Sequence, residues 1–357
     1  MSPSSTTVVG CGERTSSMVH TLNPLQDLRW TDFLERHPRA SVFHSPGWLR
    51  ALHRCYGYQP FVVTTAAPGE SLSNGVVFCQ VDSWLTGRRL VSLPFSDHCE
   101  PLVDSGEELA LLLAQVKSNN DASIHIRPST SGIALDGWTP SANFFHHSLD
   151  LRPSEDEIFA RFHKNCIQRK IRRAQREGLR YVEGTSTELL QSFYRLFSMT
   201  RRRHGVPAPA AEWFSNLILC MGDSLKVRVA LRGSTPVAAI LTLSFKQAMV
   251  YKYGGSDACF HNLGGPAILL WTAIQDAKSS KMDKLDLGRT DVDDLGLLTY
   301  KKRWGALGRR LTYWTLPGNP ARSTAESWKI QIIRYATSCL PPVVKPAVGR
   351  VLYRHFG

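Results

Sequence analysis

Residues 249–314, MVYKYGGSDACFHNLGGPAILLWTAIQDAKSSKMDKLDLGRTDVDDLGLLTYKKRWGALGRRLTYW, contain a strand, a Gly-rich turn, a helix, a second strand ending in LDLGRTD and a basic stretch, LLTYKKRWG. That order sets polar residues at strand ends and a helix N-terminus beside a backbone turn, as α/β folds do where they hold a charged donor molecule. The functional residues are expected in this segment.

Working upstream, LKVRVALRG, TPVAAILTLSF and QAMVYKYGG read as strands, and TELLQSFYRLFSMTRRRHG and AEWFSNLILCMG as helices. EIFARFHKNCIQRKIRRAQREG reads as one helix. Ile158, Phe162, Ile167, Ile171 and Ala174 form its apolar stripe, Gly178 stops it, and Ser154 with Glu157 offers a capping box. In the first half, residues 25–55 hold two short helices, the second capped by Ser45 with Pro46 in its first turn. PFVVTTA, GVVFCQV, RRLVSLPF, ASIHIRP and NFFHHSLDL read as strands and GEELALLLAQVKSN as a helix. The pattern is α/β (α+β) with mixed, partly antiparallel sheets. It divides into a polar leader over 1–20, a unit over 21–151, a second unit over 152–317 and a basic amphipathic tail over 318–357.

The chain has 357 residues, 43 % hydrophobic and 20 % charged, which excludes a disordered chain and allows about two domains. The 43 Lys and Arg against 30 Asp and Glu give a charge of +13, which predicts attraction to phosphates, nucleic acid or an acidic membrane face. The eight cysteines are dispersed without a C-x-x-C pair, so neither zinc spacing nor a dense disulfide framework is visible, and they read as reduced. With no secretory signal or span-length apolar run in the sequence, a cytoplasmic enzyme is the expectation.

KNCIQRKIRRAQREG, YKYGGSD, NLGGPAILLWTAIQDA, LDLGRTD and GLLTYKKRWGA, together with LPFSDHCEPL in the first half, resemble the Fem-like branch of the GNAT acyltransferase superfamily over most of residues 25–316. The resemblance implies two tandem GNAT-like domains, the second better matched. It also implies transfer either of an acyl group from acyl-CoA to an amine of an envelope or exopolysaccharide precursor, or of an amino acid from aminoacyl-tRNA to a peptidoglycan precursor. Acyl-CoA is taken here as the first expectation for the donor and aminoacyl-tRNA as the alternative. The usual Q/R-x-x-G-x-G/A turn is replaced by Phe260-His261-Asn262-Leu263-Gly264-Gly265-Pro266. Gly264 and Gly265 are the cofactor-binding candidates, since glycine lets main chain approach a phosphate.

Acyl transfer to an amine needs a proton acceptor and donors for the oxyanion. Asp97 and His98, in a loop after Leu93-Pro94-Phe95-Ser96, are candidate bases. Asp286, Arg289 and Asp291 stand at or beyond a strand's C-terminal end, where Arg289 can grip a carboxylate or phosphate; an internal Arg–Asp lock is the competing reading. Lys301, within Lys301-Lys302-Arg303, is a candidate to stabilise negative charge. Tyr251 and Tyr253 alternate on a strand and should share a face, with Tyr253 and Gly254 as substrate contacts. Seven cations between Arg161 and Arg176, without an acid, make Lys164, Asn165 and Arg169 candidates for phosphate contact, against a merely solvated face. Asp291, Asp293 and Asp294 read as solvated acids opening a helix, and no metal is expected.

The tail mixes Ile330, Ile333, Leu340 and Val344 with Lys329, Arg334 and Lys345, which suits peripheral contact with an anionic inner membrane face carrying a lipid-linked acceptor. A basic nucleic-acid-binding protein without catalysis is the reading from a different class. It lacks a compact recognition-helix unit, zinc spacing or a dedicated aromatic stacking motif.

Overall fold

A computed structural model describes residues 18–84, 87–118, 121–129, 136–317 and 353–355. The expected leader and tail lie outside these residues, except for Met18 to His20 and for Tyr353, Arg354 and His355. Tyr353 donates its hydroxyl to the Pro207 carbonyl, and the Tyr58 hydroxyl donates to the Arg354 carbonyl, so this short piece packs on the body of the molecule.

The strands are β1 His20–Leu22, β2 Gln59–Thr64, β3 Val76–Ser83, β4 Gly87–Val91, β5 Ser123–Ile126, β6 Thr139–Asp150, β7 Arg180–Gly184, β8 Leu225–Arg232, β9 Thr235–Phe245, β10 Ala248–Ser256, β11 Lys284–Asp291 and β12 Leu307–Leu316. The helices are α1 Leu28–Arg36, α2 Pro46–Tyr56, α3 Gly106–Ser118, α4 Glu155–Arg161, α5 Arg169–Arg176, α6 Thr187–Arg203, α7 Ala211–Met221, α8 Gly265–Ser279 and α9 Leu295–Arg303. Among the described residues all twelve strands join one sheet, ordered β1-β2-β3-β4-β5-β12-β6-β11-β10-β9-β8-β7. Its pairings are antiparallel except β4 with β5 and β10 with β11. The fold is thus a mixed α+β sheet. β6 precedes residue 151 yet lies between β11 and β12, and β12 in turn pairs with β5, so the two halves share the middle of the sheet.

Alternation along the strands sends side chains into separate cores on the two faces. In β3, Val77, Cys79 and Val81 meet α1 and α2, while Val76 and Phe78 meet α3. In the second half α6 and α7 join the first of these cores, and α4, α5 and α8 cover the opposite face. The caps follow the sequence reading. Ser45 accepts from Trp48 N–H with Pro46 in the first turn, and Ser154 and Glu157 complete a capping box.

Two elements differ from expectation. The helix expected over 157–178 breaks at Phe162, which takes extended backbone (φ −70°, ψ 141°); a π-turn, Lys164–Gln168, then leads into α5. Phe162 is fully buried against Trp271 and Trp304, and the buried Gln168 amide donates to the Phe162 carbonyl that the break leaves open and to the Phe159 carbonyl, which also accepts from Phe162 N–H. Aromatic burial and side-chain capping therefore outweigh helical continuity. The strand expected through RRLVSLPF ends at Val91, and Leu93 and Phe95 adopt left-handed backbone (φ 67° and 59°). Such conformations cost on the order of 1–3 kcal/mol each outside glycine. Here the Arg127 guanidinium donates to both the Leu93 and Ser96 carbonyls, and the Ser96 hydroxyl also donates to Leu93, so the loop is held in place. β7 was not anticipated: Arg180, Tyr181, Val182 and Glu183 are all exposed, and the strand lacks the apolar alternation that marks the others.

Candidate active site

β10 and β11 pair over only three residues, from Ala248 opposite Lys284 to Val250 opposite Asp286, although both strands continue. Two irregularities accompany the parting. β10 bulges between Tyr251 and Tyr253 in its pairing with β9, and β11 bulges between Asp286 and Arg289 in its pairing with β6. A bulge bends a strand and re-aims its side chains. The space between the strands is a cavity of about 580 Å³, lined by Tyr251 to Gly254 on one side and Leu287 to Arg289 on the other.

The β10 bulge corrects one expectation. Tyr251 packs with the α8 side of the sheet and Tyr253 with the α6 and α7 side, so the two tyrosines do not share a face. Lys252, at the bulge, turns toward the Tyr253 side, with its ammonium near the rings of Phe43, Trp48 and Tyr253. Gly254 is needed for space, since a Cβ there would overlap the Tyr251 hydroxyl. Tyr253 accepts from the Trp213 indole at 3.1 Å.

Asp97 lines the cavity, its carboxylate Oδ2 3.1 Å from Lys252 Nζ. Burial acts to raise its pKa, but Lys252 and then Arg289 outweigh burial and hold the carboxyl below its ordinary value. Gly288 (φ 72°) lies opposite: a Cβ there would come within 2.9 Å of Asp97 Oδ2. Arg289 lines the same cavity, donates to the Tyr313 hydroxyl at 2.7 Å and stacks 4.3 Å from the Phe144 ring centre. The Tyr313 hydroxyl in turn donates to the Asp97 backbone carbonyl at 2.6 Å. Lys301 reaches inward from α9 to the carbonyls of Gly288 and Arg289, each at 3.0 Å. Burial lowers its pKa to about 8, against the pull of Asp97 and Asp286.

His98 and Asp286 stand behind this wall. Asp286 is buried and accepts from His98 Nε2 and His146 Nε2, each at 2.8 Å, and from Gly288 N–H at 2.7 Å. Burial opposes its ionisation, yet His146 and His98 hold its pKa well below the carboxylate range. These three side chains bring potential metal ligands together, but hydrogen bonds account for their spacing, and His98 Nδ1 is buried without a partner, unlike a ligating histidine braced through its second nitrogen. Neither residue lines the cavity, and the Asp286 network shapes the Gly288 turn from within.

A second cavity of about 430 Å³ shares Thr200, His204, Tyr251 and Gly254 with the first and is lined by Lys170, Arg203 and His261. Gly264 (φ 79°) and Pro266 border it. The open side of Gly264 is filled by the Lys170 carbonyl, and a Cβ on Gly265 would meet Ala238 Cβ at 2.9 Å. These glycines therefore admit neighbouring protein chain, where the sequence suggested phosphate. Lys164, Asn165 and Arg169 are exposed and border neither cavity, because the break at Phe162 and the π-turn direct Ile167 and Lys170 there instead. Asp291 is exposed at the end of β11, and Asp294 caps α9 by accepting from Leu297 N–H.

Sequence reasoning passed over Lys252, Arg127, His146, Trp213 and Tyr313. Lys252 had a signal: it is the one charge in the strand AMVYKYGGS, where the neighbours are apolar or aromatic. His146 and Tyr313 had none, since their roles depend on β6 and β12 meeting across the sheet.

Residues 161–302 match the model of the acetyltransferase (GNAT) domain. Those residues are a GNAT-type acyltransferase domain. A curated relative, the UDP-N-acetylmuramoylpentapeptide-lysine N(6)-alanyltransferase of Weissella viridescens, is 25 % identical over 158 residues, which span 43 % of this chain and 43 % of that protein. The crystal structure of FemX superposes with a TM-score of 0.63 at 14 % identity, covering 85 % of this chain and 97 % of that one. A tandem GNAT protein from the clavulanic acid biosynthesis pathway does so with a TM-score of 0.51 at 13 % identity, covering 85 % and 99 %. The matched GNAT domain supplies β10, β11 and α9, and the other half of the chain delivers Asp97 to the gap between β10 and β11. Among the described residues, no helix of this chain is long and apolar enough to cross a membrane.

Proposed function

We propose that this chain transfers an aminoacyl group from a charged tRNA to a primary amine of a peptidoglycan precursor. The observation that carries the reading is the pair of adjoining cavities at the β10 bulge. One contains Asp97, Lys301 and Arg289, and the other offers the cations Lys170 and Arg203, with the His261 imidazole beside them, to a phosphate-bearing donor. The sequence put acyl-CoA first. The tRNA donor is preferred because neighbouring protein chain occupies the open sides of Gly264 and Gly265, and because the curated relative is an alanyltransferase acting on a muramoylpentapeptide.

In this reading the neutral amine attacks the ester carbonyl, forming the C–N bond and a tetrahedral oxyanion. The Lys301 ammonium and the Arg289 guanidinium are the donors nearest to stabilise that charge. The nitrogen, acidified by bond formation, gives its proton to Asp97. Collapse then breaks the C–O ester bond, and Asp97 returns that proton to the departing ribose oxygen, which leaves as a hydroxyl.

The test incubates purified protein with UDP-N-acetylmuramoylpentapeptide and either labelled alanyl-tRNA or labelled acetyl-CoA. Labelled precursor from the tRNA, with tRNA binding that weakens steeply as salt rises, is expected. Product from acetyl-CoA alone would instead establish the second reading, an acyl-CoA donor at the same site, which the match to an acetyltransferase domain favours.

A further inference from the structure

We propose that Lys252 is a positioning residue for Asp97: it fixes the carboxylate as an anion by one oxygen and leaves the other for the acceptor's amine. The inference rests on the reading of Asp97 as the group that meets that amine. Three observations converge on it. The β10 bulge turns Lys252 to the Tyr253 side of the sheet, where Nζ lies 3.1 Å from Asp97 Oδ2. Phe43, Trp48 and Tyr253 place ring centres 5.1, 5.7 and 5.6 Å from the ammonium, and these faces stabilise a cation withdrawn from water. On the other side Gly288, lacking a Cβ, admits Oδ2. Among the described residues the hydrogen bond to the carboxylate is the one from Lys252 to Oδ2, and the carboxylate borders the cavity.

The remaining charged or titratable groups around Asp97 are Asp286 and Arg289 from β11, Lys301 from α9, Arg127 just after β5, Tyr313 from β12 and His98 beside it in the chain. Of the cations, Lys252 alone bonds the Asp97 carboxylate directly. Arg289 is committed to Tyr313, Lys301 to two carbonyls and Arg127 to the Leu93 and Ser96 carbonyls.

The experiment follows the Asp97 carboxyl carbon by NMR against pH in the full chain labelled at aspartate, with Asp97→Asn identifying the resonance. In Lys252→Met the carboxyl should titrate at least one pH unit higher than in the unsubstituted protein, roughly a tenfold gain in proton affinity. Lys252→Arg should restore most of the difference. An Asp97 titration that does not move in a folded Lys252→Met protein would overturn the proposal. Should that variant fail to fold, Asp97→Asn provides the reciprocal reading: the Lys252 ammonium must then lose its proton at lower pH, and an unchanged ammonium titration equally overturns the pairing. Neither measurement needs a substrate. Coupled titrations without transfer from any donor would therefore leave the pair standing and sink the assigned reaction. Asp97-dependent transfer with uncoupled titrations would do the reverse.

Discussion

At the scale of single residues, Lys301 has the most to reveal. A lysine whose pKa has fallen to about 8 is protonated at neutral pH and loses its charge just above it. If its ammonium stabilises the oxyanion, kcat/KM should fall as pH rises through about 8. Lys301→Arg should abolish that alkaline limb because a guanidinium stays charged, and Lys301→Met should lower kcat about 100-fold. A pH–rate profile retaining the limb in the arginine variant would assign it to another group. The sequence singled out Lys301 among three adjacent cations, and the structure separates them by burial: Lys301 faces inward while Lys302 and Arg303 are exposed. Lys252 was harder to see, because a regular strand would have placed it on the face opposite its tyrosine neighbours, and only the bulge brings it and Tyr253 to one side.

At the scale of elements, the broken helix between α4 and α5 shows where periodicity misleads. Ile158, Phe162, Ile167, Ile171 and Ala174 are all buried, as their stripe required, yet the backbone that buries them is interrupted. A stripe reports which side chains go inward and says little about whether the hydrogen-bond ladder beneath them is continuous. The break persists because Gln168 serves the buried Phe162 carbonyl that the interrupted ladder leaves open. Gln168→Leu should therefore lower unfolding stability by about 1–3 kcal/mol, on the order of the one buried carbonyl, Phe162, left without a donor. Denaturant unfolding measures this, and a loss near zero would mean that water or a repaired helix takes over. The capping of α2 and α4 was legible because it is local, whereas the bulges of β10 and β11, which open the cavity, depend on strands far away in sequence.

At the scale of the whole molecule, element order was enough to indicate a mixed sheet and the family resemblance implied a tandem GNAT arrangement, but neither revealed how the halves interlock. Pairing partners such as Arg309 with His146 or Trp314 with Ile126 are separated by well over a hundred residues, and no local pattern encodes them. With β6 shared in this way, pieces comprising residues 1–151 and 152–357 should each fail to fold alone and should recover native circular dichroism only when refolded together. A cooperative transition in either isolated piece would contradict this. The same interlocking bears on synthesis at the ribosome. β5, β6 and β11 all leave the exit tunnel before β12, so each nascent chain carries bare sheet edges until one of its last described segments emerges and seals them. For that interval the growing polypeptide is open to mispairing with its neighbours, and the floor beneath Asp97 does not yet exist.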